Sequence, residues 1–369
     1  MMSQKTTNNL DTPALLLDID ILEKNIKEIV DFANKYEVNY RPHIKTHKSI
    51  NIAKKQIEQG AIGVTVATVG EAEVMSNGGI KDILVAYPIA TKIKLERILK
   101  IMDKSKVTIT VDSITQAKLL QTFFEKKNKK LNVWIKINSG LNRCGVEPNE
   151  VKELASFLNE SSNLILDGVF THAGHSYGAN SDEEIEKIAL NEAAVVLESA
   201  KICESIGIKI PYRSIGSTPT FKIAGKIEGI TEIRPGNAVF YDMIQVGLNV
   251  ATINDCALTV LSTVGSKHSD RIVIDAGSKT LNLDKGAHGN ESVLGHGYIK
   301  EYPNLVIDRL SEEHGIISLD KESEVQITEE VTIIPNHACT VVNLFDNYLI
   351  TKDGKVIDKW KVDARGKVQ

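Results

Sequence analysis

No run of apolar side chains in the 369 residues reaches the roughly 18 needed to cross a bilayer. There is no excess of positive charge: 44 Lys and Arg stand against 48 Asp and Glu, a net charge of −4. That removes the electrostatic footprint of a nucleic-acid-binding protein. The opening residues, MMSQKTTNNLDTP, lack the apolar core of a signal peptide. Cysteine is scarce, and Cys144, Cys203, Cys256 and Cys339 are far apart. This argues against a disulfide framework and reads as free thiols in a reducing compartment. A cytoplasmic protein with neither membrane nor nucleic-acid partners is therefore expected. Internal repeats, low-complexity tracts and long linkers are also missing. What remains, 42% hydrophobic and 25% charged residues, is ordinary globular composition. The length suits one large domain plus a smaller one.

Between residues 20 and 240 short β-branched runs alternate with longer helical stretches. The strand candidates are VNYRPH (38–43), GVTVAT (63–68), DILVAY (82–87), VTITVD (107–112), NVWIKIN (132–138), ILDGVFTH (165–172), YRSIG (212–216) and TEIRPG (231–236). Helical candidates include LEKNIKEIVDFANKY (22–36) and the stretch 183–207, which ends at Gly207 as a helix C-terminus should. Eight buried strands alternating with helices predict a closed (β/α)8 TIM barrel over 20–250. After residue 250 short strands separated by glycine and charged turns take over: 257–267, 271–277, 323–335 and 339–367, the last with an Asp-Gly hairpin turn. Together with the strand-like TPALLLDID (12–20), this predicts an antiparallel β domain made of 1–19 and 251–369.

Chemistry in such a barrel sits at the C-terminal ends of the strands. These ends carry RPHIKTHK (41–48), NSGLNRCGV (138–146), THAGHSYG (171–178), IGSTPT (215–220) and RPGNAVFYD (234–242). Lys45 stands just past the first strand. Desolvation and the cations Arg41, His47 and Lys48 would lower its pKa and free its amine for a Schiff base. On composition alone the same segment reads equally as a basic surface turn. IGSTPT offers backbone N–H groups at a helix start, suited to a phosphate, with RPGNAVFYD as a second glycine turn beside it. His337 and Cys339 in PNHACT lie two apart, so in a strand they share a face. They form half of a zinc-like site, or simply a buried cysteine beside a satisfied histidine.

TPALLLD, RPHIKTHK, VTVATVGEAEV, NRCGV, THAGHSYG, EIRPGN and PNHACTVVN, in this order, resemble the D-threonine aldolase and D-serine dehydratase group of alanine-racemase-like, fold III pyridoxal-phosphate enzymes. The resemblance covers nearly the whole chain. It implies that Lys45 carries pyridoxal 5'-phosphate, that Arg143 faces the cofactor's phenolic oxygen, and that Tyr177 and His172 line the same mouth. It implies that Gly216, Ser217, Thr218, Gly236 and Asn237 hold the phosphate, and that His337 and Cys339 bind a divalent metal near the substrate hydroxyl. A homodimer acting on a small D-amino acid is implied as well. Arg234, two residues before Gly236, reads as a neighbour of the pyridine nitrogen or as a salt-bridged barrel residue. Some aldolases of the group are associated with aspartate at the position of Cys339 and with manganese, the dehydratases with cysteine and zinc, and aldolase-like members with His-x-Cys also resemble this chain. Thiolate is a soft ligand, so zinc is favoured and manganese comes second.

VTVATVGEAEV and the AYP of the third strand resemble the aldolase side, which makes D-threonine cleavage to glycine and acetaldehyde the leading expectation. D-Serine conversion to pyruvate and ammonia is the alternative. An amino-acid racemase or a non-catalytic cofactor-binding barrel are more distant readings. The first does not need His337 and Cys339, and the second does not need the β domain.

Overall fold

A computed structural model describes residues 5–6, 10–286 and 293–369. The eight expected barrel strands are all present. They run Asn39–Tyr40, Val64–Val66, Asp82–Pro88, Lys106–Val111, Leu131–Lys136, Leu164–Phe170, Tyr212–Ile215 and Glu232–Ile233, all parallel. Each pairs with its neighbour in sequence, except that the last strand also pairs with the first. The ring closes between the first two, where Thr65 N–H donates to Pro42 O at 2.8 Å and Ile44 N–H donates to Thr65 O at 2.9 Å. Runs such as Val107–Val111 are buried throughout, as strands covered on both faces require.

The helices outside follow from their apolar stripes and caps. Leu22, Ile26, Ile29 and Ala33 recur at helical spacing on Ile19–Lys35, whose N-terminus is capped by Asp18 accepting from Asp20 N–H and Ile21 N–H. Asp182–Ser205 begins at Ser181, which accepts from Glu184 N–H, with three acidic residues in the first turn. It ends where Gly207 turns left-handed, at φ 83°, and Ile208 N–H returns to Cys203 O. The barrel interior holds Trp134 and Phe170 with the guanidinium of Arg41, which Glu232 and Asp82 neutralise.

In the second sheet, Leu258–Lys267 pairs antiparallel with Ala14–Asp18, Arg271–Ile274 and Glu330–Ile334. The Asn347–Lys352 and Lys355–Lys361 hairpin turns at Asp353-Gly354, both left-handed, and its first strand pairs parallel with Ala14–Asp18. Two expectations need correction. Residues 323–329 are irregular with a turn at 327–328, not strand: Glu329 accepts from Gln326 N–H and from the Tyr302 hydroxyl, and Thr328 sits at φ 71°. The β-branched run after Cys339 is not strand either. Ala338–Val342 is a short helix that buries Ala338, Val341 and Val342, with His337 at its N-cap. Packing has overridden a local strand preference.

Candidate active site

At the C-terminal ends of the barrel strands lies a cavity of about 460 Å³. All twelve site residues singled out in the sequence line it, together with His43, Thr46, Lys136, Cys144 and Phe170. The turn after the first strand delivers Lys45. His47 N–H and Lys48 N–H both bond back to Ile44 O, so consecutive side chains point in different directions. The expected basic cluster therefore does not surround Lys45: each of its three members is engaged elsewhere. Arg41 is drawn into the barrel by Glu232 and Asp82, His47 is buried behind the turn with Nδ1 accepting from Ser49 N–H, and Lys48 pairs with Glu71 at 2.7 Å. Burial lowers the Lys45 pKa and Arg143 adds to the effect, against Cys339 and Glu71.

His172 follows the sixth strand. Its Nδ1 contacts Gly216 O, which can only accept, so Nδ1 carries the proton and Nε2 is the free acceptor. Burial and the nearby Lys45 hold the ring neutral. Tyr177 sits on the short helix Gly174–Gly178 and its hydroxyl bonds Thr218. Burial keeps this phenol protonated.

Arg234 donates to Ser214 Oγ and Thr171 O, and its guanidinium lies 4.9 Å from the Phe170 ring. Burial pulls its pKa down to about 10, leaving it charged at neutral pH. It makes no direct ion pair among the described residues. Glu232 reaches it through Ser214, whose hydroxyl donates to Glu232 at 2.7 Å.

The two glycine turns lie side by side. The N–H of Gly216 is already engaged by Glu192 at 3.0 Å, so Gly216 shapes the turn instead of donating into the cavity. A Cβ there would come within 2.9 Å of the Arg234 guanidinium. The N–H groups of Ser217, Gly236 and Asn237 meet no acceptor among the described residues, while Thr218 N–H is directed at the Tyr177 hydroxyl. At Gly236 a Cβ would stand 2.8 Å from His43 O. Unpartnered N–H groups in a cradle that only glycine leaves open fit a phosphate.

Across the cavity, His337 Nδ1 lies 3.3 Å from Asp284 Oδ2 and Cys339 Sγ lies 3.2 Å from the Thr46 hydroxyl. Burial works against ionising Cys339, but His337 and Lys45 outweigh it and draw the thiol pKa down. Burial likewise opposes charge on His337, yet Cys339 and Asp284 raise it to about 10. Among the described residues no third His, Cys, Asp or Glu joins them in a metal-binding group. A thiolate and an imidazole are a donor pair suited to zinc.

Sequence reasoning passed over two wall residues. Lys136 reads as one more position of a buried strand, yet it points inward, donates to Ala86 O at 3.2 Å and lies 5.4 Å from the Phe170 ring centre. Its signal was a lysine on the inward face of NVWIKIN. His43 lies inside RPHIKTHK, and burial and Lys45 hold it neutral.

Residues 17–243 match the family described as alanine racemase, N-terminal domain, and 257–351 the one described as putative serine dehydratase domain. The chain belongs to this alanine-racemase-like, fold III family of pyridoxal-phosphate enzymes and is a lyase of that class. It is 32% identical to D-threo-3-hydroxyaspartate dehydratase of Delftia sp. (strain HT23), over 96% of this chain and 97% of that protein. It is 30% identical to D-serine dehydratase of Dictyostelium discoideum, again over 96% and 97%. The solved structure of D-threonine aldolase from Filomicrobium marinum matches with a TM-score of 0.91 at 27% identity, covering 100% of this chain and 99% of that one.

Proposed function

We propose that this lyase acts on D-3-hydroxy amino acids, with pyridoxal phosphate held by Lys45 and a divalent cation, zinc before manganese, held by His337 and Cys339. The reaction we infer is elimination of the β-hydroxyl, giving a 2-oxo acid and ammonia. The observation that carries this reading is the soft Cys339 sulfur beside His337 in the same cavity as Lys45, with the thiol drawn towards its ionised form. It moves the reading from the aldolase expected from the sequence towards the dehydratase. The Delftia relative is also known as a cysteine-to-alanine variant in a metal-free form and as a histidine-to-alanine variant, the two positions lying two apart as His337 and Cys339 do.

Bound pyridoxal phosphate supplies an electron sink for carbanion character at the substrate's α-carbon. A cation at the His337–Cys339 pair supplies Lewis acidity to the departing hydroxyl. The chain's own residues do the rest. Lys45, its amine shifted towards the neutral form, would hold the cofactor through Nζ and, once displaced by the substrate amine, would be placed to take the α-proton. The N–H groups of Ser217, Gly236 and Asn237 would hold the phosphate, with Gly216 keeping the turn narrow. Arg143 would serve the phenolic oxygen. Arg234, locked by Ser214 and Thr171, would keep a nearby pyridine nitrogen unprotonated, which would weaken the sink and leave more of the work to the cation. Tyr177 closes the wall beside Thr218.

A second reading, retro-aldol cleavage of D-threonine, is favoured by His172. Its neutral ring with a free Nε2 is a base for a β-hydroxyl proton. The protein is further read as a cytoplasmic homodimer. Its cysteines are unbonded, and the exposed Tyr87 lines the cavity.

Product analysis on D-serine, D-threonine and D-threo-3-hydroxyaspartate separates the reactions. A 2-oxo acid with ammonia is expected. Glycine with an aldehyde would establish the second reading instead. Activity should disappear on exhaustive chelation and return with zinc, and Cys339→Ala should keep the cofactor's colour while losing most turnover. Full activity of that variant after chelation would remove the metal from the reaction.

A further inference from the structure

Asp242 lines neither the cavity nor the surface, yet it is bonded to both halves of the site. It is fully buried and caps the helix Met243–Gly247 by accepting from Gln245 N–H. Its other oxygen, Oδ2, accepts twice. One donor is the Asn237 side-chain amide, at 2.5 Å, and the other is Ala338 N–H, at 2.9 Å. Asn237 belongs to the glycine turn read as the phosphate cradle, and the next residue, Ala338's counterpart on that side, is tied to it: Ala238 N–H donates to Thr218 Oγ1 at 3.2 Å. Ala338 is the residue between His337 and Cys339. The surrounding backbone is sewn the same way, with Met243 N–H donating to Pro335 O and Ile244 N–H to Asn336 O.

A cap alone needs one carboxylate oxygen. The second oxygen joins a turn of the barrel to the backbone of the metal pair, 96 positions away in sequence. We propose that Asp242 is a positioning residue shared by the two sites, through which cofactor binding at the Asn237 turn tightens metal binding at His337 and Cys339, and the reverse. A phosphate on the turn fixes Asn237. A fixed Asn237 holds Oδ2 in place, and Oδ2 holds Ala338 and therefore the spacing of the residues on either side. Coupling of this kind is reciprocal, and its usual size is about 5-fold or more in affinity.

This inference rests on the cofactor and metal assignments made above. The test is zinc affinity, measured by competition with a chromophoric chelator, on protein with and without pyridoxal phosphate. Three chains are compared: wild type, Asp242→Asn and Asn237→Ala. Asp242→Asn must set an amide N–H against a donor, on one oxygen or the other. Asn237→Ala cuts only the cofactor-side arm and leaves the cap and Ala338 untouched, so it serves where Asp242→Asn fails to fold. Wild type should bind zinc at least about 5-fold more tightly when cofactor is present. In both variants the ratio should fall to within about twofold of one, with cofactor saturating. A direct electrostatic effect of the cofactor on Cys339 would survive Asn237→Ala, and that outcome overturns the proposal, as does a wild-type ratio of one. Wild type that takes up neither cofactor nor zinc would instead remove the functional reading beneath it.

Discussion

Lys45 illustrates how much one side chain's surroundings decide. The amine is useful as a nucleophile only when neutral, and a lysine in water is charged at physiological pH. Here desolvation in the cavity wall lowers the pKa, and Arg143 reinforces it from the rim. The cations nearest in sequence are turned away by their own partners, Arg41 by Glu232 and Asp82, and Lys48 by Glu71. Proximity in sequence was thus a poor guide to which charges Lys45 meets, although the resulting direction of its shift was legible. If Lys45 carries the cofactor, borohydride reduction of the holoenzyme followed by peptide mapping should find the pyridoxyl group on Lys45. Lys45→Ala should lose the covalent visible absorption and essentially all turnover while keeping its far-UV circular dichroism. A label on Lys136, the other buried cavity lysine, would reassign the site.

At the scale of elements, the strands and helices of the barrel were readable because they repeat one physical pattern, a buried β-branched run followed by an amphipathic helix. Two short elements were not. The Ala338–Val342 helix has a strand-like composition, and its conformation follows from burying Ala338, Val341 and Val342 together. The turn 44–48 reads as basic and solvated, and in the fold it lies between the barrel and the second sheet, with the Tyr348 hydroxyl donating to His47 O at 2.5 Å. Asp242, Asp284 and Glu192 were invisible for a related reason: each matters through a partner that only the folded chain brings near.

Burying that turn has a consequence for pH. Desolvation lowers the His47 pKa from its ordinary value to about 3 and holds His43 and His172 well below theirs. These are depressed folded values, so their contribution to stability is complete above the unfolded histidine pKa, near 6.5. It is lost as pH falls from there towards the folded values, because the unfolded chain binds protons that the native state refuses. Each such histidine adds at most about 1.4 kcal/mol per pH unit to the slope. Urea unfolding between pH 7.5 and 5.5 should show stability falling below about pH 6.5. His47→Asn, whose Oδ1 can still accept from Ser49 N–H, should flatten that fall. An unchanged slope would mean that His47 titrates normally in the folded protein.

For the whole molecule, the question is what covers the cavity mouth. Tyr87 is 58% exposed although it lines the cavity, and Ile93, 77% exposed, follows it at the start of the helix Lys92–Ile101. Beyond the barrel Leu283 and Leu294, 62% and 76% exposed, adjoin in sequence Asp284 and Gly295, whose carbonyls accept from Asn336 beside His337. Exposed large apolar side chains next to the residues of a polar site suit a surface made to be covered. Tyr87 and Ile93 belong to the barrel and Leu283 and Leu294 to loops beyond it, so a head-to-tail pair, with the β domain of each chain over the barrel of the other, would bury both sets by one two-fold operation. Such a pair would also exclude water from a site where a desolvated Lys45 is required. Sedimentation velocity at assay concentration should therefore give a dimer of twice 40.6 kDa. Ile93→Asp combined with Leu294→Asp should shift it towards monomer and lower turnover at least tenfold, roughly 1.4 kcal/mol in the barrier. Both substitutions replace exposed side chains, so the monomer should stay folded. A wild-type monomer with full activity would show that the rim needs no partner.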